Sequence, residues 1–261
     1  MKRLTNAEFD RISRICDNDG IPIDQCPTCG TTRSEREDGL EGKYSYLRET
    51  HYCDCNRQID LRIHYLLANI GDQYQRLNWD TDFKGAKKVR EAVKTVLDNW
   101  KACKTSGVGI EFSSINLGVG KTFAATYVAR QLVQAGERVY FAPFLEIVSE
   151  LCDPNSVLEE TLKDITILVL DEVIEGTSFA QQALFATKFE ELIRHRTNFN
   201  KVTIMTTNLT PQQLREAYPR PYSLLEPKQI RVEMAGNDFR QSGLIMDNLS
   251  MIASAEVRPI S

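Results

Sequence analysis

The sequence predicts an α/β chain: a parallel sheet with helices on both faces, preceded by a small cysteine-rich module. Three observations carry that prediction. An apolar strand-like run, Gly109-Ile110-Glu111-Phe112, leads into Gly118-Val119-Gly120-Lys121-Thr122 and then into an apolar helical run from Phe123 to Val133. A second apolar run, from Ile165 to Leu170, ends in two acids, Asp171-Glu172. Four cysteines stand in two close pairs, Cys26 with Cys29 and Cys53 with Cys55. Strands alternating with helices imply a parallel sheet covered on both sides, and such sheets bind ligands at the carboxyl ends of their strands.

The 261 residues suit one large domain or two small ones. With 42% apolar and 26% charged residues, the composition is that of a soluble globular protein. A net charge of −4 gives no overall bias toward nucleic acid. The first residues, Met1 to Glu8, hold no apolar stretch of signal-peptide type. No run approaches the roughly 18 apolar residues of a membrane span, so a cytoplasmic protein with no membrane partner is expected. Seven cysteines, an odd number, do not suit a disulfide framework in a reducing compartment.

Leu4, Phe9, Ile12 and Ile15 recur at near-helical spacing and predict a short helix over residues 2–16. Cys26-Pro27-Thr28-Cys29-Gly30 is a knuckle-type turn. Two residues between thiolates let both sulfurs face one ion, and Gly30 permits the tight backbone. Cys53-Asp54-Cys55 follows a strand-like stretch containing Tyr44, Tyr46 and Tyr52. Four thiolates suit tetrahedral Zn²⁺ in a closed structural site, with no position left for a catalytic water. The span between the pairs has few large aliphatics and needs such a staple. His51 is an alternative ligand, although an exposed histidine beside Cys53 is the simpler reading. Cys16, Cys103 and Cys152 are assigned to packing.

Ile59, Ile63, Leu66 and Leu67 form a helical stripe over residues 56–69. His64, beside it, reads as a packing or solvent residue. Gly71-Asp72 breaks the pattern, and the boundary is placed near residue 70: residues 1–70 bind zinc, and residues 71–261 form the α/β core. Residues 85–102 are predicted as one helix, with Lys84, Lys87, Lys88 and Arg90 on a solvated face.

Strand, glycine loop, Lys-Thr and helix is the arrangement that cradles a triphosphate, through backbone N–H groups and the positive end of a helix. The candidates to hold ATP are Asn116, Leu117, Gly118, Val119, Gly120, Lys121, Thr122 and Phe123. Lys121 would reach the β- and γ-phosphates, and Thr122 would ligate Mg²⁺. The full motif wants glycine where this chain has Ile115, and a β-branched residue resists positive φ.

Glu137 to Ala142 reads as a buried strand, and residues 144–152 and 156–164 as helices, the second with Ser156 and Glu159 as a capping box. The run ending in Asp171-Glu172 is a central strand. Asp171 would hold Mg²⁺, directly or through water, and Glu172 would act as general base toward the attacking water. Phe179 to Phe199 is a long helix, and Lys201 to Asn208 another strand. Asn208 would lie beside the Asp171 strand tip, orienting the lytic water or sensing the γ-phosphate. Pro211 opens a helix to Ala217.

Taken together, Gly118-Val119-Gly120-Lys121-Thr122-Phe123-Ala124-Ala125, Leu170-Asp171-Glu172 and Thr206-Thr207-Asn208 resemble the AAA+ helicase loaders of DnaC/DnaI type, related to IstB-type ATPases. The two cysteine pairs resemble the N-terminal zinc module of such loaders. Ala68-Asn69-Ile70, ahead of Tyr74, resembles their linker, and Gly236-Asn237-Asp238-Phe239-Arg240 their closing segment. The resemblance implies a P-loop ATPase core without a full lid, acting between subunits of a homo-oligomer on a hexameric replicative helicase and single-stranded DNA. It also implies an arginine finger reaching a neighbour's γ-phosphate. Arg220 is the nearest candidate and Arg231 the next; Arg240 would serve a sensor-like role or pair with a carboxylate. Two other readings stay open: a transposition helper ATPase, and a zinc-dependent adaptor with a vestigial nucleotide site.

Overall fold

The structure, a computed structural model, describes residues 5–31, 53–153, 156, 158–236, 238 and 258–261. The chain divides into two compact units, Trp79–Ser242 and Met1–Asn78 together with Gly243–Ser261. The residues expected to form a tyrosine-bearing strand, and His51, lie outside the described residues, as do Leu4 and Arg240.

The first unit is built on two helices. Helix α1 (Asn6–Asp19) starts at a capping box, in which the Thr5 hydroxyl accepts from Glu8 N and Glu8 Oε2 accepts from Thr5 N at 2.8 Å. Gly20, at φ 70°, ends it in the left-handed conformation that glycine adopts without strain. Ile12 and Cys16, one turn apart, are its buried face, while Phe9 is exposed. Helix α2 (Cys55–Leu67) is capped by Asp54, whose carboxylate accepts from Arg57 N at 3.4 Å. It buries Gln58, Ile59, Leu61, Arg62 and Tyr65. The inward stripe is therefore rotated from the predicted one: Ile63, Leu66 and Leu67 are only half-buried. Buried Arg62 explains the rotation, since its guanidinium donates to the carbonyls of Ile21 and Pro22. Gly71 does not end this unit; it precedes a single helical turn, α3 (Asp72–Gln75).

The second unit opens with two helices where one was expected. Helices α4 (Lys87–Asp98) and α5 (Trp100–Ser106) are divided at Asn99, whose φ of −107° serves as the end of one and the start of the other. Arg90 is not on a solvated face. Its guanidinium stacks 5.2 Å over Trp79 and 5.3 Å over Phe83 and donates to the Phe83 carbonyl.

Five strands follow: β1 (Gly109–Ser113), β2 (Val139–Pro143), β3 (Ile167–Val173), β4 (Val202–Thr207) and β5 (Gln229–Glu233). They pair in the order β2-β3-β4-β1-β5, every pairing parallel. Strand β5 was not assigned from the sequence, because Ile230 and Val232 alternate with polar residues and only Val232 is buried. Helix α6 (Lys121–Gln134) follows β1, α7 (Phe144–Cys152) and α8 (Leu158–Asp164) follow β2, and α9 (Phe179–Asn198) follows β3. Helices α10 (Pro211–Ala217) and α11 (Pro219–Leu225) follow β4. All five residues of β1 and all six of β4 are buried, as central parallel strands require.

The core lies between β2, β3 and β4 and helices α7, α9 and α11, with Phe144, Phe189 and Tyr218 packed edge-to-face at 5.2–5.8 Å. Arg196 is fully buried there without a carboxylate; its guanidinium donates to the Leu162, Ile165 and Val202 carbonyls and to Thr203 Oγ1. Burial lowers its pKa to about 9. Two local expectations change. Cys152 is exposed and not a packing residue, whereas Cys16 and Cys103 are buried. Ser156 does not pair with Glu159: its hydroxyl donates to Glu150 and accepts from Leu158 N, while Glu159 binds Lys163. No helix among the described residues is long and apolar enough to cross a membrane.

Candidate nucleotide and metal sites

The strand order sets the first site. Because β1, β3 and β4 run parallel and adjacent, their carboxyl ends meet: Ser113 lies opposite Thr207, and Thr207 opposite Val173. The glycine loop leaves β1 at this edge. Gly118 and Gly120 take φ of 69° and 87°, which only glycine accepts readily. Ile115 is not among the residues at positive φ, and its side chain is 70% exposed. The departure from the motif therefore costs no backbone strain, because the loop enters by a turn that needs no glycine there. Helix α6 begins at Lys121 with no side-chain cap, so the N–H groups of its first turn remain for a ligand.

Lys121 Nζ donates to the carbonyls of Asn116 at 2.9 Å and Ser114 at 3.2 Å, which draws the lysine back over its own loop. Thr122 Oγ1 donates to Asp171 at 3.0 Å, joining the loop to the β3 tip. Burial pushes the Asp171 carboxyl above the usual aspartate range, against hydrogen bonds from Thr206 and Thr122 that pull it down. Lys121 already sets a positive charge near this carboxylate, and a divalent cation between Thr122 and Asp171 would add a second. Glu172, next in the chain, sits at φ 57° within a bulge of the β3–β4 pairing and is exposed. Strain of this kind in a non-glycine residue turns the carboxylate away from its neighbour and out of the sheet. Asn208, at the β4 tip, has a buried Oδ1 with no hydrogen-bond partner among the described residues, an acceptor open to a water or a ligand.

Beside the loop, Trp79 is stacked between Phe83 and Tyr127 at 4.2 and 4.3 Å, and Phe123 tilts against it at 6.0 Å. The closing segment also meets this loop: Asn116 Nδ2 donates to the Gly236 carbonyl, and the Asp238 carboxylate lies against Gly118. Asn237, Phe239 and Arg240 lie outside the described residues.

Lys121, Thr122, Asp171, Glu172 and Asn208 are thus brought to one strand edge. Arg220 makes its ion pair elsewhere, with Glu190 of α9 at 3.5 Å, and is 77% exposed. Arg231 is held within its own unit by Glu111 at 3.4 Å and Glu226 at 3.7 Å, over the Tyr222 ring.

Thr206 was missed from the sequence. Its hydroxyl donates to Asp171 Oδ1 at 2.7 Å and accepts from Glu172 N at 2.8 Å, tying both acids to β4. Thr206→Val is expected to lower turnover by about 10–100-fold, the loss of one charge-assisted hydrogen bond, with ATP affinity little changed. Thr206→Ser should restore most of the rate; equal defects in both variants would show that the methyl group, not the hydroxyl, matters.

The second site lies in the first unit. The Sγ atoms of Cys26, Cys29, Cys53 and Cys55 all fall within 4.8 Å of one another. Cys26 and Cys53 are 3.6 Å apart, and Cys29 and Cys55 are 3.5 Å apart. Zinc–sulfur bonds of about 2.3 Å in a tetrahedron place the sulfurs roughly 3.8 Å apart, so the four fit one zinc ion. The turn is shaped by Gly30 N donating to Cys26 O and Cys26 N donating to Thr31 O, both at 2.9 Å. Burial pushes the Cys29 thiol up, but hydrogen bonds with Thr31, Cys55 and Cys26 outweigh it and bring the value to about 7. Burial holds Cys55 up at about 11 and raises Cys53 as well. Cys26 and Cys55 also pack on Ile59, so an ion here would be continuous with the small core of α2.

A five-stranded parallel sheet in this order carries a glycine loop after β1 and paired acids at the carboxyl end of β3, where open α/β sheets bind their ligands. Solved structures agree. The DnaC helicase loader superposes with a TM-score of 0.50 at 18% identity, covering 63% of this chain and 100% of that one. A primosome component from Streptococcus pyogenes gives 0.51 at 14%, covering 64% and 90%. The replication initiator DnaA bound to AMPPCP and single-stranded DNA gives 0.50 at 19%, covering 70% and 56%. No family model matches the sequence, and no curated protein matches it.

Proposed function

We propose that this chain is an ATP-dependent loader of a replicative DNA helicase onto single-stranded DNA. The observation that carries the reading is the Thr122–Asp171 hydrogen bond at 3.0 Å, flanked by Lys121 and Glu172 at the edge of an AAA+ sheet. Lys121 and the loop amides hold the triphosphate of ATP. Thr122 and Asp171 would hold Mg²⁺, which would supply positive charge to the phosphate oxygens when bound. Glu172 accepts the proton of the attacking water, and the free Asn208 amide oxygen orients that water. Arg220, exposed at the start of α11, is the arginine finger offered to a neighbouring copy.

The four-cysteine module is the grip on a hexameric helicase, and its zinc is structural. ATP binding assembles the cores into a homo-oligomer, and hydrolysis resets it, so nucleotide state is read as assembly state. What supports this choice is coverage: the helicase loader and the primosome component are covered over 100% and 90% of their chains, the replication initiator DnaA over 56%.

Co-purification with candidate hexameric helicases, in ATP and in ADP, tests the reading. Capture of a helicase that differs between the two nucleotides is expected. Capture of a transposase instead would make the chain a transposition helper, and nucleotide-independent capture without any turnover would make it an adaptor.

A further inference from the structure

Residues Arg258 to Ser261 belong to the first unit, although the second unit separates them in sequence from the rest of it. They form no helix or strand, yet Ile260 is only 3% exposed. The Gln58 side chain grips the Ile260 backbone at both ends: Nε2 donates to Ile260 O at 2.9 Å, and Oε1 accepts from Ile260 N at 2.6 Å. A primary amide used this way reproduces the pairing that one strand residue gives another. Gln58 is buried, and its Oε1 also accepts from the Thr28 hydroxyl at 2.9 Å, which fixes the amide's orientation.

Ser261 is held by three further bonds. Its carbonyl accepts from the Tyr65 hydroxyl at 2.9 Å, its N–H donates to Gln75 O at 3.0 Å, and its hydroxyl donates to Leu77 O at 2.9 Å. The Arg76 guanidinium donates to the Arg258 carbonyl. These bonds read mainly the backbone of the segment, and the aliphatic side chain of Ile260 anchors it. Main-chain pairing plus a buried anchor is how proteins recognise peptides.

We propose that Gln58, Tyr65, Gln75, Arg76 and Leu77 form a peptide-docking site whose ligand is the Arg258–Ser261 segment, and that this segment exchanges between copies of the chain. Nothing in the contacts depends on which copy supplies the segment. From Ser242 to Arg258 the chain can span roughly 50 Å at full extension, enough to reach a neighbour. Exchange of an identical element makes no new kind of contact, and it links copies that an assembly already holds close together. The ligand class is a short peptide with proline, a branched aliphatic residue and a small hydroxyl residue in succession. Docking of the segment on Gln58 stands apart from nucleotide chemistry, whereas its exchange between copies rests on the assembly proposed above.

The test uses two full-length variants and a synthetic peptide spanning residues 254–261. Ile260→Asp leaves the site intact but disables the chain's own segment; Gln58→Ala damages the site and leaves the segment intact. The labelled peptide should bind the Ile260→Asp chain saturably, and at least tenfold more weakly when Gln58→Ala is added. Mixing the two single variants should give a joined species that neither forms alone. No saturable peptide binding by an Ile260→Asp chain with wild-type helical signal, or no mixed species, overturns the proposal. Should Ile260→Asp lose that signal, a chain with a protease site between residues 243 and 257, cut after folding, replaces it. The released fragment must then rebind saturably, and a fragment that never leaves, or never returns, overturns the proposal equally.

Discussion

Glu172→Gln is expected to slow ATP turnover by about 10²–10⁴-fold, the usual contribution of a positioned general base, while ATP affinity stays within a few-fold of wild type. The separation follows from geometry. Asp171 points inward to Thr122 and Thr206, and it is the group that would share a cation with the loop. Glu172 is exposed, with its backbone N–H already satisfied by Thr206 Oγ1 and its φ at 57°. Glutamine keeps the shape and the backbone bond and removes only the proton acceptor, so a bound, slowly hydrolysing assembly should accumulate. Single-turnover rates and equilibrium binding measured on the same preparation decide the matter. Lost binding together with lost turnover would mean that this carboxylate holds nucleotide or metal and is not the base.

Cys26→Ser combined with Cys29→Ser is expected to unfold most of the first unit and leave the second folded. Among the described residues the first unit has two helices longer than one turn and a small apolar core around Ile12, Ile59, Leu61 and Tyr65, and a metal bound by four thiolates contributes on the order of 10 kcal/mol to folding modules of this size. The second unit has its own sheet and its own core. Wild type should carry about one zinc per chain, and chelation should abolish the helical signal of α1 and α2 with little change in ATP binding. A metal-free wild type with full helical signal would show that the four sulfurs are merely neighbours.

Much of this was legible in the sequence because parallel strands and their tips are local patterns. Runs such as Ile167 to Leu170, with no polar residue, announce a strand buried on both faces. The acids that follow such a run are then at a strand tip without further argument. Ile115 looked like a defect because the motif was read as a string. In the structure the position carries no positive φ, so the string was stricter than the physics. Thr206 was legible in principle, since residues two apart on a strand share a face and Asn208 was already singled out. It stood in the Thr206-Thr207-Asn208 run that carries the resemblance, but only Asn208 was given a role.

Three features were not legible. The division at Asn99 arises from one residue with φ of −107°, in a sequence whose periodicity runs on without a break. The rotated face of α2 depends on Arg62 finding two carbonyls from residues 21 and 22. The docking of Ile260 on Gln58 joins residues 202 positions apart in the sequence. Each is a contact at long range or a single torsion, and no local pattern encodes it.

The central claim is that the Gly118–Thr122 loop and the Asp171–Glu172 tip hold one triphosphate between them. The most direct measurement is equilibrium binding of a non-hydrolysable ATP analogue, with and without Mg²⁺, to wild type and to Lys121→Ala. Saturable, Mg²⁺-strengthened binding by wild type, weakened about 100-fold or more in the variant, is the result expected from losing a charged phosphate contact. Equal and feeble binding by both chains would contradict the account.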